Sequence, residues 1–176
     1  MQYLLKSGML IQKGHCAVLA QLKRSFKGTC KKICNEAGEV VLEASIGCID
    51  DKRTSAGDVR NHEYRLTDDR CNIVASAYPE YAQGEEPEVQ GWPICRMPRV
   101  DHARVRIRDC EYLLILHSGQ QYRMNQLSNV EVLRITHQGL TGGWLLEDFV
   151  GFPPSVLCGL FVFCRYIEQE NEFLIV

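Results

Sequence analysis

Pro153–Glu170, PPSVLCGLFVFCRYIEQE, is the stretch that decides how the rest of the chain must be arranged. Two prolines open it, and Val156–Cys164 then runs apolar without a break. A helix apolar on every side has to be enclosed by protein or lipid. At about 1.5 Å per residue the run is too short for a bilayer core of roughly 30 Å, so the expectation is a helix over 153–170 packed inside the domain. Proline suits the first turn of a helix, Gly159 permits close approach of a wall strand, and Arg165 with Glu168–Glu170 is expected at the mouth in water. A buried strand over Leu157–Tyr166 is the alternative that the Phe and Val content permits; run length and the Pro-Pro start favour the helix.

What encloses this helix reads as strands. Short segments rich in β-branched and aromatic residues alternate with turn signals, the pattern of an antiparallel all-β domain. The candidates are Cys16–Leu22, Val40–Ala44, Ile73–Ala77, Ala103–Ile107, Tyr112–Leu116, Tyr122–Met124 and Val130–Ile135. Ser118-Gly119 between Leu113–Leu116 and Gln121–Met124 predicts a hairpin, because glycine in a two-residue turn accepts positive φ. Ile33–Ala44 and Leu66–Ala77 align without a gap, each reading apolar, polar turn, paired apolar, alanine, and Tyr122-Arg123-Met124 echoes Tyr64-Arg65-Leu66. Repeated hairpins produce such echoes, and so does chance. Residues 79–98 hold four prolines and two glycines, which predicts a loop or excursion. Hairpins need their edges managed, and closing the sheet removes edges. A many-stranded barrel leaves a lumen wider than its own side chains fill, and the apolar helix fills it. The fold class is therefore mainly β, an antiparallel closed β-barrel enclosing a hydrophobic C-terminal α-helix, with 1–176 as one domain.

Composition excludes several function classes. The formal net charge is -2, so no global basic field draws in nucleic acid or a membrane, and any such contact needs a local patch. Met1–Lys6 lacks a charged segment followed by a long apolar one, so no secretory signal is read and a cytoplasmic address is expected. Nine cysteines, an odd count without any CxxC, read as reduced thiols used as small hydrophobes rather than a disulfide framework or a zinc site.

The hairpins Asn35-Glu36-Ala37-Gly38-Glu39-Val40-Val41 and Tyr64-Arg65-Leu66-Thr67-Asp68-Asp69, closed by a hydrophobic C-terminal helix, resemble the tubby C-terminal-like superfamily, which includes LURP-one-related proteins and phospholipid scramblases. The resemblance spans nearly the whole chain and implies a many-stranded barrel around a central apolar helix. It further implies a surface for anionic lipid, since tubby proteins bind phosphoinositide head groups through Lys and Arg. No palmitoylatable cysteine cluster and no acidic calcium-loop spacing occurs, so scramblase activity is not implied.

Independently of any family, Arg104, Arg106 and Arg108 alternate with apolar residues and are expected on one face of a strand, with Arg96 and Arg99 just upstream. Guanidinium forks pair with phosphate or carboxylate, so this row suits a lipid head group, a small anion or an acidic protein partner; the plain alternative is a solvated face paired with nearby acids. Lys23, Arg24 and Lys27, with Lys31-Lys32 beyond, form a second basic run that suits a membrane surface or is a solvated hairpin tip.

Catalytic signatures are absent from the sequence: it has no G-x-S-x-G elbow, no Walker-type loop and no H-E-x-x-H. His15-Cys16 neighbours point to opposite faces of a strand, Asp50-Asp51 and Asp68-Asp69 suit turns, and the glycine-rich His137–Trp144 leads into Trp144-Leu145-Leu146 as a connection to the final strand. Trp92 and Trp144 read as packing anchors. The expectation is a non-catalytic binding module without cofactor or metal, making peripheral membrane contact without a transmembrane span and binding no nucleic acid. A small cysteine-dependent enzyme and a structural or assembly protein are the alternatives.

Overall fold

The computed structural model describes residues 1–24, 30–49, 58–85, 99–117, 120–140 and 142–171, with only the backbone of Arg24. Among them lie twelve strands: β1 (Gln2–Lys6), β2 (Met9–Gln12), β3 (Val18–Arg24), β4 (Lys31–Asn35), β5 (Val40–Cys48), β6 (His62–Asp68), β7 (Ile73–Tyr81), β8 (Val100–Ile107), β9 (Cys110–His117), β10 (Gln121–Gln126), β11 (Glu131–His137) and β12 (Trp144–Asp148). Each pairs antiparallel with its neighbour in sequence, and β1 closes the barrel on β12 with Tyr3 opposite Leu146 and Leu5 opposite Trp144. Closure gives each of these strands a hydrogen-bonded neighbour on both sides. One helix, α1 (Pro154–Glu170), runs inside. The closed antiparallel barrel around a C-terminal apolar helix is thus the observed fold, and Leu157–Tyr166 is helical rather than a strand.

The seven expected strands are all present. The hairpin β1–β2 is an addition, and its turn signal was there to read: Ser7 and Gly8 both take positive φ, +51° and +80°, the two-residue geometry that matches strand twist. The sequence echo is a geometric one. Asn35, Asp68 and Gln126 each donate their N–H to the carbonyl four residues on, at Glu39, Asn72 and Val130, and each hairpin carries a register shift just before the turn. The third residue after each of them is left-handed: Gly38 at φ +81°, Cys71 at +63°, Asn129 at +67°. A side chain at such a φ costs about 1–2 kcal/mol, part of which glycine gives back through its freer unfolded chain. Cys71→Gly should therefore stabilise the fold by about 0.5–1 kcal/mol, read as a rise in the urea midpoint at unchanged m-value.

The loop expected over 79–98 begins later than read, since Pro79–Tyr81 belong to β7. Pairing with β6 ends at Tyr64 opposite Ala77, so Pro79 is bonded on one side only, to Ala103 of β8, and its missing N–H is tolerated at what is locally an edge. The remainder of that loop, 86–98, lies outside the described residues, as do Ser118-Gly119, Asp50-Asp51 and Trp92.

Helix and wall fit because the wall is graded in size. α1 packs mainly on β3, β4, β5 and β8. Several inward positions on that side and on adjoining β7 are small and buried: Ala20, Ala44, Ala75, Ala77 and Ala103. The opposite side is filled by large residues, Tyr122, Met124, Leu133, Ile135 and Leu146. Phe163 packs on Tyr64 with ring centroids 6.0 Å apart, and Gly159 admits Leu66 of β6 against the helix backbone. No helix among the described residues is long and apolar enough to cross a membrane.

Candidate functional site

Alternation in β8 places Arg104 and Arg106 together on the exposed outer face, with Ala103, Val105 and Ile107 turned inward. Arg108 does not join them. It lies in the turn between β8 and β9 at φ +52°, beyond the last paired residue, because the strand ends at Ile107. The two arginines that share the face are engaged: Arg104 Nη2 donates to Glu80 Oε1 at 2.6 Å and Arg106 Nη2 to Glu111 Oε1 at 2.8 Å, which holds the Arg106 guanidinium above its ordinary pKa. Arg99 pairs with Asp101 at 3.4 Å. A depression of about 260 Å³ here is lined by two arginines and two glutamates, so it offers an anion no net field. Arg96 and Lys27 lie outside the described residues, and the side chain of Arg24 is not described.

The second basic run leads elsewhere. Lys23 is exposed and borders the barrel mouth, but its ammonium is engaged, donating to the Gly38 carbonyl at 3.1 Å. Lys31 is the residue that turns in. It pairs with Ala44 and shares a strand face with Ile33, and both of these are fully buried in the core. Lys31 is half-buried, and its ammonium makes no ion pair or hydrogen bond among the described residues. A lysine turned toward a barrel mouth with no partner among the described residues leaves its ammonium donors open to a ligand.

Lys31 borders a cleft of about 680 Å³ between α1 and the wall. Leu22 of β3 and the Ser7-Gly8 turn form one side, with Gly8 held against Leu22 by the Leu22 N–H donating to its carbonyl at 2.6 Å. The other side is α1, presenting Phe161, Val162, Arg165, Tyr166 and Gln169. Arg165 is exposed and ion-paired with Glu168, whose carboxylate also accepts from the Tyr122 hydroxyl.

The helix end that carries Arg165 is fastened at several points. Glu170, expected in water, is instead drawn in: its carboxylate lies 2.8 Å from His62 Nδ1 and accepts from the Tyr64 hydroxyl at 3.1 Å. Burial, with the neighbouring Glu170 charge, pushes the Tyr64 hydroxyl far above its ordinary pKa, so it stays protonated and donates to Glu170. Asn171 donates to the carbonyls of Val100 (2.7 Å) and Ile167 (2.9 Å) and accepts from the Val100 N–H at 2.9 Å, tying helix to β8. Tyr166 donates to the Ala44 carbonyl at 3.1 Å. The cleft is thus built on fixed elements. Trp144 packs as expected, its ring 5.2 Å from that of Phe161 and 4.9 Å from His137.

The cysteine-enzyme alternative needs a thiol held beside a histidine. His62 and His102 bond to carboxylates, and no cysteine sulfur among the described residues is hydrogen-bonded to a histidine. Burial, then hydrogen bonding to Glu43, pushes the Cys30 thiol up to about 11, and burial takes Cys158 to about 12, values that leave almost no thiolate at neutral pH. Among the described residues no cluster of His, Cys, Asp and Glu is arranged to hold a metal ion.

Sequence reasoning placed Lys31 in a basic run and Arg165 at the helix mouth without joining them. The available signal was period two along β4, which sets Lys31 in phase with the apolar Ile33. Comparison with protein-family models, with curated proteins and with solved structures finds no match for this chain, so function has to be argued from the chemistry of the cleft.

Proposed function

We propose that this chain is a non-catalytic binding module, a barrel of the tubby C-terminal-like kind, whose cleft beside the C-terminal half of α1 receives an anionic ligand such as a lipid head group. The carrying observation is Lys31, an inward-facing, half-buried lysine whose ammonium has no partner among the described residues, beside Arg165 in a cleft of ligand size. An anion between the two gives Lys31 a counter-charge that no described side chain supplies. The outer row is the weaker candidate because Glu80 and Glu111 already neutralise Arg104 and Arg106.

Flotation with neutral, phosphatidylserine and phosphoinositide vesicles at low and moderate salt tests this. Salt-sensitive binding to the anionic vesicles is expected, weakened about tenfold or more by Lys31→Glu and unchanged by Arg104→Gln with Arg106→Gln. Binding that ignores lipid charge, or that Lys31→Glu leaves intact, overturns the reading.

A protein-contact role has one observation of its own. Val40, Ile73, Leu127, Val130, Phe149 and Val150 are exposed apolar residues, all at turns or strand starts on the barrel end opposite the cleft. Exposed apolar rims mark contact surfaces. Concentration-dependent sedimentation that Leu127→Ser with Phe149→Ser abolishes would favour this assembly role.

A further inference from the structure

The side of the cleft formed by α1 is graded along its length. Phe161, Arg165 and Gln169 are spaced four apart and therefore share one helix face, covering about 12 Å at 1.5 Å per residue. Its inner end is apolar, with Phe161 and Val162 facing Leu22, while its outer end carries the guanidinium and the amide, with Lys31 across from them. At about 680 Å³ the space matches the few hundred to a thousand Å³ of pockets that enclose whole small molecules, whereas a lone phosphate displaces only a few waters of about 30 Å³ each. Head-group recognition alone leaves most of this cleft, and all of its apolar end, without a role.

We infer that the cleft takes a single-chain anionic amphiphile, its carboxylate or phosphate between Lys31 and Arg165 and its alkyl chain running inward past Val162 and Phe161. This rests on the anion reading above and adds the chain to it. The bond pattern follows from the lining: the Lys31 ammonium and the Gln169 amide fix the head, with the Arg165 guanidinium, shared with Glu168, beside them, and no polar partner is required at the inner end, where a polar group would be left unpaired.

The experiment is calorimetric titration of the whole protein with butyl, hexyl, octyl and decyl phosphate below their micellar concentrations, with decanoate, with inorganic phosphate and with a neutral decyl glycoside. Affinity should rise about fourfold per added methylene and level off once the chain outgrows the cleft. Decanoate should bind in the same range as decyl phosphate, and Lys31→Gln should weaken every anionic chain length by a similar factor. If short and long chains bind equally and Lys31→Gln still weakens both, the head-group reading stands and the chain inference falls. If no anion binds, both fall. If the decyl glycoside binds as well as decyl phosphate, the charged head is not recognised and the inference is overturned.

Discussion

Phe163→Ala should destabilise the barrel by about 3–5 kcal/mol, roughly a fifth or more of the stability of an ordinary domain. Phe163 is fully buried at the point where α1 meets β6, its ring 6.0 Å from that of Tyr64, which in turn packs 5.2 Å from Tyr166. Truncation opens a cavity in the lumen that the wall cannot close, because a closed ladder holds each strand at fixed distance from its two neighbours. Arg165→Ala, two residues on, is the comparison: its exposed ion pair with Glu168 contributes about 1 kcal/mol or less. Urea unfolding of the two variants at neutral pH checks the contrast. Equal effects would mean that α1 is held by its exposed end rather than by the lumen.

Gly159→Leu should be worse, abolishing the native barrel. A Cβ at Gly159 would lie 2.6 and 2.8 Å from the two methyl carbons of Leu66, which is itself fully buried on β6. Alanine there gains about 1 kcal/mol of helix propensity and meets about 1–3 kcal/mol of overpacking, so Gly159→Ala should come out neutral to moderately destabilising. Leucine adds three further carbons to the same clash with little added propensity. Combining Gly159→Leu with Leu66→Ala should recover folding, with a coupling of at least about 1–3 kcal/mol between the two sites. Thermal melts followed by circular dichroism decide it; additive destabilisation in the double variant would show that the two side chains do not compete for one space.

The legible part of this fold is the part governed by neighbours in sequence. Period-two alternation marked seven strands, and the unbroken apolar run of Val156–Cys164 marked a helix that had to be enclosed. The repeated hairpin was visible as an echo because each copy needs the same short-range geometry, a left-handed residue at Gly38, Cys71 and Asn129. Where local logic was applied a residue too far, it failed. Arg108 continues the alternation of Arg104 and Arg106 in sequence, but the strand had already turned. Pro79 looks like a strand breaker, yet the pairing of β7 with β6 ends at Ala77 and leaves one side of Pro79 free.

Amino-acid pattern alone therefore determined the antiparallel strands, the enclosed helix and hence the barrel, since hydrophobic periodicity and turn chemistry act over a few residues. Only the tertiary structure decided which cations matter. Closing twelve strands set Lys31 opposite Arg165, engaged the Lys23 ammonium with the Gly38 carbonyl and matched Arg104 and Arg106 with Glu80 and Glu111. Charge in a sequence is a list of candidates, and its chemistry follows from register and barrel closure, which bring together groups far apart along the chain.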